Sequence, residues 1–255
     1  MRYTILFLYL FWNVPTTAQK PKPVQLKILT YSINHGVSSK GTTNLLRVVA
    51  LIKKHKPDLV AIQGVDSGAV GSGKLNQMRI LSLLTGYDSY FAPAHVYQSG
   101  NTGVGILSLH PIEGMQQLKL PNPDSTRGRV LMCALVRLPQ NKYLRFCTTQ
   151  LDDLSSFNRG LQAAVVNEAL QYSIQPVLLV GDFSAPPIDH ELEVMHKYWT
   201  DAGTGTAAHT YIPDEMRYDY CWTLPRLPLK LLDYTVLYEP NTSDHFPVLA
   251  TYEIK

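Results

Sequence analysis

Residues Pro176–Ala185 read PVLLVGDFSA and set one carboxylate where chemistry is possible. Val177 to Val180 form a short apolar run, long enough to cross a sheet covered on both faces and too short for a buried helix. Gly181 is expected to break that strand and deliver Asp182 at its C-terminal end, while Pro186-Pro187 stop the backbone from extending the ladder. A carboxylate at a strand tip can take a proton from water or hold a divalent cation. An aspartate in such a place is more often a turn or cap residue, so Asp182 gains meaning only from its surroundings.

The elements that must position it come from a chain of 255 residues, 45% hydrophobic, enough to bury a full core in one large domain. At 17% charged residues the chain falls below the usual ~25%, which excludes a disordered or coiled-coil protein. A net charge of +3 neither requires nor excludes nucleic acid, which a dense basic face would support. Strands are expected at 24–33, 59–65, 104–109, 130–138, 142–151, 177–180, 218–223, 229–237 and 248–254. Helices are expected at 43–55, with Thr42 or Thr43 as N-cap, and at 75–84, 157–172 and 189–198. The segment 121–129 reads as polar and irregular. Hairpins and strand–helix units alternate in two successive halves, so two mixed sheets with helices outside would cover both faces. Periodicity alone leaves this open among several α+β folds.

The first residues address the compartment. Arg2, an apolar run from Tyr3 to Val14 and the small residues Thr16, Thr17 and Ala18 form a secretory signal with cleavage after Ala18. The run is short for a membrane span, which needs about 20 residues. Cleavage removes Arg2 and takes the charge from +3 to +2. Residues 19–23 read as a linker and 24–255 as the domain of an exported protein, periplasmic or extracellular. Three cysteines are an odd number for an oxidising setting. One simple hairpin register sets Cys133 opposite Cys147, which permits a cross-strand disulfide. The preferred reading is buried free thiols.

Seven segments carry a resemblance: Leu26–Gly36 (LKILTYSINHG), Pro57–Asp66 (PDLVAIQGVD), Gly103–Ile112 (GVGILSLHPI), Thr148–Asp153 (TTQLDD), Leu178–Pro187 (LLVGDFSAPP), Arg217–Tyr220 (RYDY) and Ser243–Val248 (SDHFPV). Taken in order, the chain resembles the endonuclease/exonuclease/phosphatase family, which includes deoxyribonuclease I and neutral sphingomyelinase. The resemblance implies an α+β fold, a four-layer α-β-β-α sandwich with its cleft where these strand tips converge. It also implies phosphoester hydrolysis by water, with Mg²⁺ or another divalent cation neutralising the phosphoryl oxygens. Asp182 would activate the water and His245 would contact the phosphate. Asp219 would orient His245, with Arg217 before it. Asp233-Tyr234 is a second Asp-Tyr pair, farther from the family pattern because no Arg precedes it.

Four positions depart from the family. Its metal-holding Glu falls at Gly64, its first-strand Asn at Ser32, its other catalytic His at Gln150, and the Asn after the activating Asp at Ser184. Val104 replaces a further Asn. Asp244 is left as the candidate metal ligand. Asp66 is expected on the same strand face as Gly64 but roughly 6–7 Å along it, too far to substitute. Asn34 and His209 are candidate cleft residues; His35 and Asp152 are read as supporting or surface groups, and His55, His95, His110, His190 and His196 as outside any site. These replacements imply a fold that keeps its cleft and binds a phosphorylated or anionic ligand with little or no hydrolysis. The alternative is an active Mg²⁺-dependent phosphodiesterase, phosphatase or nuclease with compensating ligands. A phosphorylated small molecule, a lipid headgroup and nucleic acid are not distinguished. Specificity is expected in the loops 67–74, 122–129 and 225–230.

Overall fold

The computed structural model of the chain describes residues 22–38, 44–227 and 229–254. Residues 1–18, the linker residues 19–21 and the expected caps Thr42 and Thr43 lie outside the described residues. In chain order the strands are β1 (Val24–Ser32), β2 (Leu59–Ser67), β3 (Asp88–Tyr97), β4 (Gly100–Ser108), β5 (Ile112–Lys119), β6 (Val130–Leu138), β7 (Lys142–Gln150), β8 (Val177–Asp182), β9 (Thr200–Asp201), β10 (Asp219–Thr223), β11 (Leu229–Val236) and β12 (Val248–Ile254). The helices are α1 (Leu45–His55), α2 (Gln77–Thr85), α3 (Ser156–Leu170) and α4 (Glu193–Tyr198).

The strands form two six-stranded sheets, ordered β11-β12-β1-β2-β4-β3 and β5-β6-β7-β8-β10-β9. Both are mixed: β1–β2 and β7–β8 run parallel, and the neighbouring pairs run antiparallel. Alternation along β1 explains the layering. Leu26 and Ile28 face the second sheet's Met132, Phe146 and Val180, while Leu29 and Tyr31 face α1 and α2 through Val48, Ile52 and Leu81. On the far side of the second sheet, Cys147, Leu179 and Trp222 meet Ala163 and Val166 of α3 and Met195 of α4. Each fully buried Leu or Ile contributes about 1.5–3 kcal/mol. Three apolar layers therefore hold the strand tips in place, in the expected four-layer α+β sandwich.

Helix α1 buries Leu45, Val48, Val49 and Ile52 on one face. It ends where Lys56, in left-handed conformation, donates its N–H to the Ile52 carbonyl at 2.8 Å, with Pro57 following. Three strands escape the sequence pattern, β3, β5 and the two-residue β9, and all three are sheet edges. β3 carries Pro93 and a register shift, and β5 is polar along most of its length. Edge strands dispense with the alternation that a buried strand requires.

Gly181 does not break its strand. It stays in the ladder opposite Thr149 and Tyr220 with φ +145°, and a Cβ there would collide with the Thr149 carbonyl oxygen. The preference for free thiols is also overturned. Cys133 and Cys147 are register partners on the α3-facing side of the second sheet and form a disulfide, leaving Cys221 as the buried free thiol.

Candidate functional site

Three adjacent strands of the second sheet set Gln150, Asp182 and Asp219 side by side, Gln150 paired with Asp182 across β7–β8 and Asp219 with Asp182 across β8–β10. Asp182 is buried. Its Oδ1 accepts from the Ser184 N–H at 2.8 Å and lies 3.2 Å from the Ser184 hydroxyl, and its Oδ2 accepts from Gln150 Nε2 at 3.1 Å. Burial raises the Asp182 carboxyl above the usual range, and Asp219 adds to this, against the opposing pull of His245, Ser184 and Gln150.

The loop before β12 brings in His245. Its Nδ1 donates to Asp219 Oδ2 at 2.7 Å, and its Nε2 lies 3.9 Å from Asp182 Oδ2. Burial alone would lower this imidazole, but the charges of Asp219 and Asp182 and the Asp219 hydrogen bond outweigh it and carry the pKa up to about 9. The ring lies 4.7 Å from Tyr211, which stacks on Tyr218 at 5.0 Å.

The first sheet supplies a different corner. The Ser32 hydroxyl sits 3.2 Å from Asp219 Oδ1 and 3.3 Å from Gln63 Oε1. Buried Gln63 bridges the sheets by donating to Thr148 Oγ1 at 2.8 Å. Asn34 Nδ2 donates to Asp244 Oδ2 at 2.9 Å. Gly64 is the bulge between Gln63 and Val65, with φ +62°. That extra residue resets the strand's alternation: Val65 joins Ile62 against the helices. Asp66 is thereby turned off the face on which strict alternation would place it, and its Oδ1 meets His35 Nδ1 at 2.8 Å.

One cavity of about 500 Å³ gathers Asp182, His245, Asp244, Ser32, Gly64, Gln150, Ser184 and Asn34 along its lining. Asp219 stands behind His245, in contact with its ring. Asp233 lies on β11, away from this group. Two expected cleft residues sit elsewhere. The Arg217 guanidinium is pinned by Asp201 at 2.6 and 3.2 Å and lies over the Tyr220 ring, and with His209 it lines a separate cavity of about 390 Å³. Asp152 is buried and accepts from the Leu154 and Ser155 N–H groups at 2.8 and 2.9 Å, a structural role at the start of α3. Val104 faces the core between the sheets, and Gly103 reaches the cavity instead. Of the expected specificity loops, 122–129 reaches the cavity through Arg127 and Arg129.

The lining also takes in His35, read from sequence as a supporting or surface group, and His95, read as outside any site. With them are Tyr97, Tyr211, Arg129 and Arg159, which like His95 lie outside the seven segments that carry the resemblance. Arg129 is buried against Asp153, and Arg159 pairs with Glu191 at 2.9 Å. The buried Nε atoms of both arginines have no hydrogen-bond partner. The arrangement offers a carboxylate able to accept a proton from water, an imidazolium able to donate, and guanidinium groups that attract anions. Among the described residues, no group of three or more His, Cys, Asp or Glu side chains is arranged to hold a metal ion. Nor is any described helix long and apolar enough to cross a membrane.

Residues 29–245 match the model of the Endonuclease/Exonuclease/phosphatase family. No curated protein matches the chain by sequence. Among solved structures, an endonuclease/exonuclease/phosphatase from Beutenbergia cavernae superimposes with TM-score 0.76 at 19% identity, covering 90% of this chain and 72% of that one. A family protein from Bacteroides thetaiotaomicron gives TM-score 0.77 at 15% identity over 92% of this chain and 100% of that one. A mannosyl-6-phosphatase from the same organism gives 0.76 at 16% identity over 89% and 99%. At these identities the likeness is one of fold.

Proposed function

This chain belongs to the endonuclease/exonuclease/phosphatase family, and on that premise we propose that it binds a phosphorylated or otherwise anionic ligand in the cleft and hydrolyses it little or not at all. The observation that carries this reading is the donor set at the corner where the family holds its metal. Mg²⁺ needs oxygen donors in near-octahedral geometry. Gly64 has no side chain, the Ser32 hydroxyl is engaged between Asp219 and Gln63, and Asp244 Oδ2 already takes the Asn34 amide. Asp182 is the one carboxylate left at the floor, and both its oxygens accept hydrogen bonds. These residues do not fit Mg²⁺.

What remains is a set of groups that bind and orient. His245, protonated at neutral pH and braced by Asp219, can donate to a phosphoryl oxygen. Arg127, Arg129 and Arg159 on the cavity wall add positive charge toward the rest of the anion. Gln150, in the place of a titrating histidine, holds Asp182 but cannot pass on a proton. Export, to periplasm or outside, is part of the proposal. It is supported by the signal-like pattern ending at Ala18 and by the Cys133–Cys147 disulfide.

The second reading is an active metal-dependent phosphodiesterase, phosphatase or nuclease. It draws on the persistence of Asp182, His245 and Asp219 within hydrogen-bonding or ion-pair reach of one another. Hydrolysis of bis-p-nitrophenyl phosphate with Mg²⁺ or Mn²⁺ separates the two. The first reading expects no release above an Asp182→Ala control, and clear wild-type turnover lost in that control would establish the second.

A further inference from the structure

The cleft holds a second imidazole–carboxylate pair that no role above uses. His35 Nδ1 meets Asp66 Oδ1 at 2.8 Å, so the ring's remaining polar atom is Nε2, and the residue lines the same cavity as His245. The His35 ring stacks on Tyr97 with centroids 4.3 Å apart. The Asp66 carboxylate is fully buried, and its Oδ2 has no partner. Gln77 locks the pair from behind: its Nε2 donates to the His35 carbonyl at 2.7 Å, and its Oε1 accepts the Asp66 N–H at 2.8 Å. The backbone here is strained, with Asn34, His35 and Gly36 at φ +44°, +60° and +70°. Two successive non-glycine residues in that region cost roughly 1–2 kcal/mol each, and such strain gathers at functional sites. The strained turn also lies where a side chain on residue 64 would point. A Cβ on Gly64 would stand 3.4 Å from the Asn34 nitrogen and 3.7 Å from that of His35.

We propose that His35, positioned by Asp66 and Gln77, contacts the bound ligand's phosphoryl oxygens at the corner where the family has its metal-holding Glu, and that the ligand is a phosphate monoester. This rests on the anion-binding reading above and gives it a second anchor. Nε2 makes the contact either by donating a proton to a P–O oxygen or by accepting from a P–OH. The two pairs are rooted in opposite sheets, Asp66 in β2 and Asp219 in β10. Together with Arg127, Arg129 and Arg159 on the cavity wall, the two pairs offer a bound group three sets of donors. A terminal phosphoryl group has three free oxygens for this, and a diester has two.

The test is a titration with inorganic phosphate and phenyl phosphate in the presence of a chelator, followed by calorimetry and by the ¹H–¹⁵N imidazole signals of the wild type. The expected result is binding that shifts the His35 Nε2 signal and weakens at least about tenfold in His35→Gln. Asp66→Asn should alter the His35 tautomer signature as well as the affinity; lost affinity with an unchanged signature would overturn the positioning role. Wild-type binding that leaves the His35 signal and His35→Gln affinity unmoved would overturn the inference while the anion-binding reading stands. Absence of phosphate binding by the wild type would overturn both. Equal affinity for diphenyl phosphate and phenyl phosphate would overturn the monoester assignment.

Discussion

Two corners of one cleft each hold a histidine against an aspartate, and they are built differently. At the second sheet, His245 and Asp219 are both buried, and Asp219 is also within reach of the Ser32 hydroxyl while its backbone N–H bonds Thr210. At the first sheet, His35 is partly exposed, and Asp66 has the ring as its one side-chain partner. The two corners differ in what each can lose. The inner pair is part of the structure, since neither member can be removed without leaving a buried charge. The outer pair stands on a strained turn beside a glycine bulge, with its ring partly exposed and one carboxylate oxygen unpartnered.

Asp219→Ala should therefore have the largest effect, destabilising the fold by about 3–5 kcal/mol in urea unfolding, because it strands a buried imidazolium. A loss below 1 kcal/mol would place the two corners on the same footing. The inner pair should also make stability depend on pH. The His245 pKa is raised from 6.5 to about 9 on folding, so its contribution is fully present below about pH 6.5 and is lost as pH rises through about 9. The expected fall is on the order of 1–3 kcal/mol. Urea midpoints from pH 6 to 9.5 should show it in the wild type and show a flatter profile in His245→Gln.

Gly64→Glu probes the outer corner. A side chain at φ +62° should cost about 1–2 kcal/mol. It should also fail to create a Mg²⁺ site, because the neighbouring oxygens are already engaged, Ser32 between Asp219 and Gln63 and Asp244 with Asn34. A stable variant that binds Mg²⁺ would show that the lost Glu alone separates this cleft from a metal-binding one. Asp66→Ala should have the smallest effect on stability, within about 1 kcal/mol, since it removes a carboxylate with an unsatisfied oxygen.

Much of the inner corner was legible in the sequence. Asp182, Asp219 and His245 sit at or beside the tips of strands whose apolar runs are continuous, and such runs are readable because both faces are covered. The preceding Arg favoured Asp219 over Asp233, and Asp219 is the one against His245. Arg217 itself serves Asp201, in another cavity. The outer corner was not legible. A bulge at Gly64 shifts the pairing of every later residue on β2 by one position, and no residue pattern announces it. His35 depends on a left-handed turn that no periodicity announces. The arginines arrive on a loop and a helix far apart in sequence, and only the folded sheets bring them to one wall.

The most direct measurement is a calorimetric titration of Mg²⁺ into the purified protein. No saturable heat is expected, because the corner that would grip the ion offers a glycine, an engaged hydroxyl and an occupied carboxylate. A one-to-one binding event abolished by Asp182→Ala would contradict this.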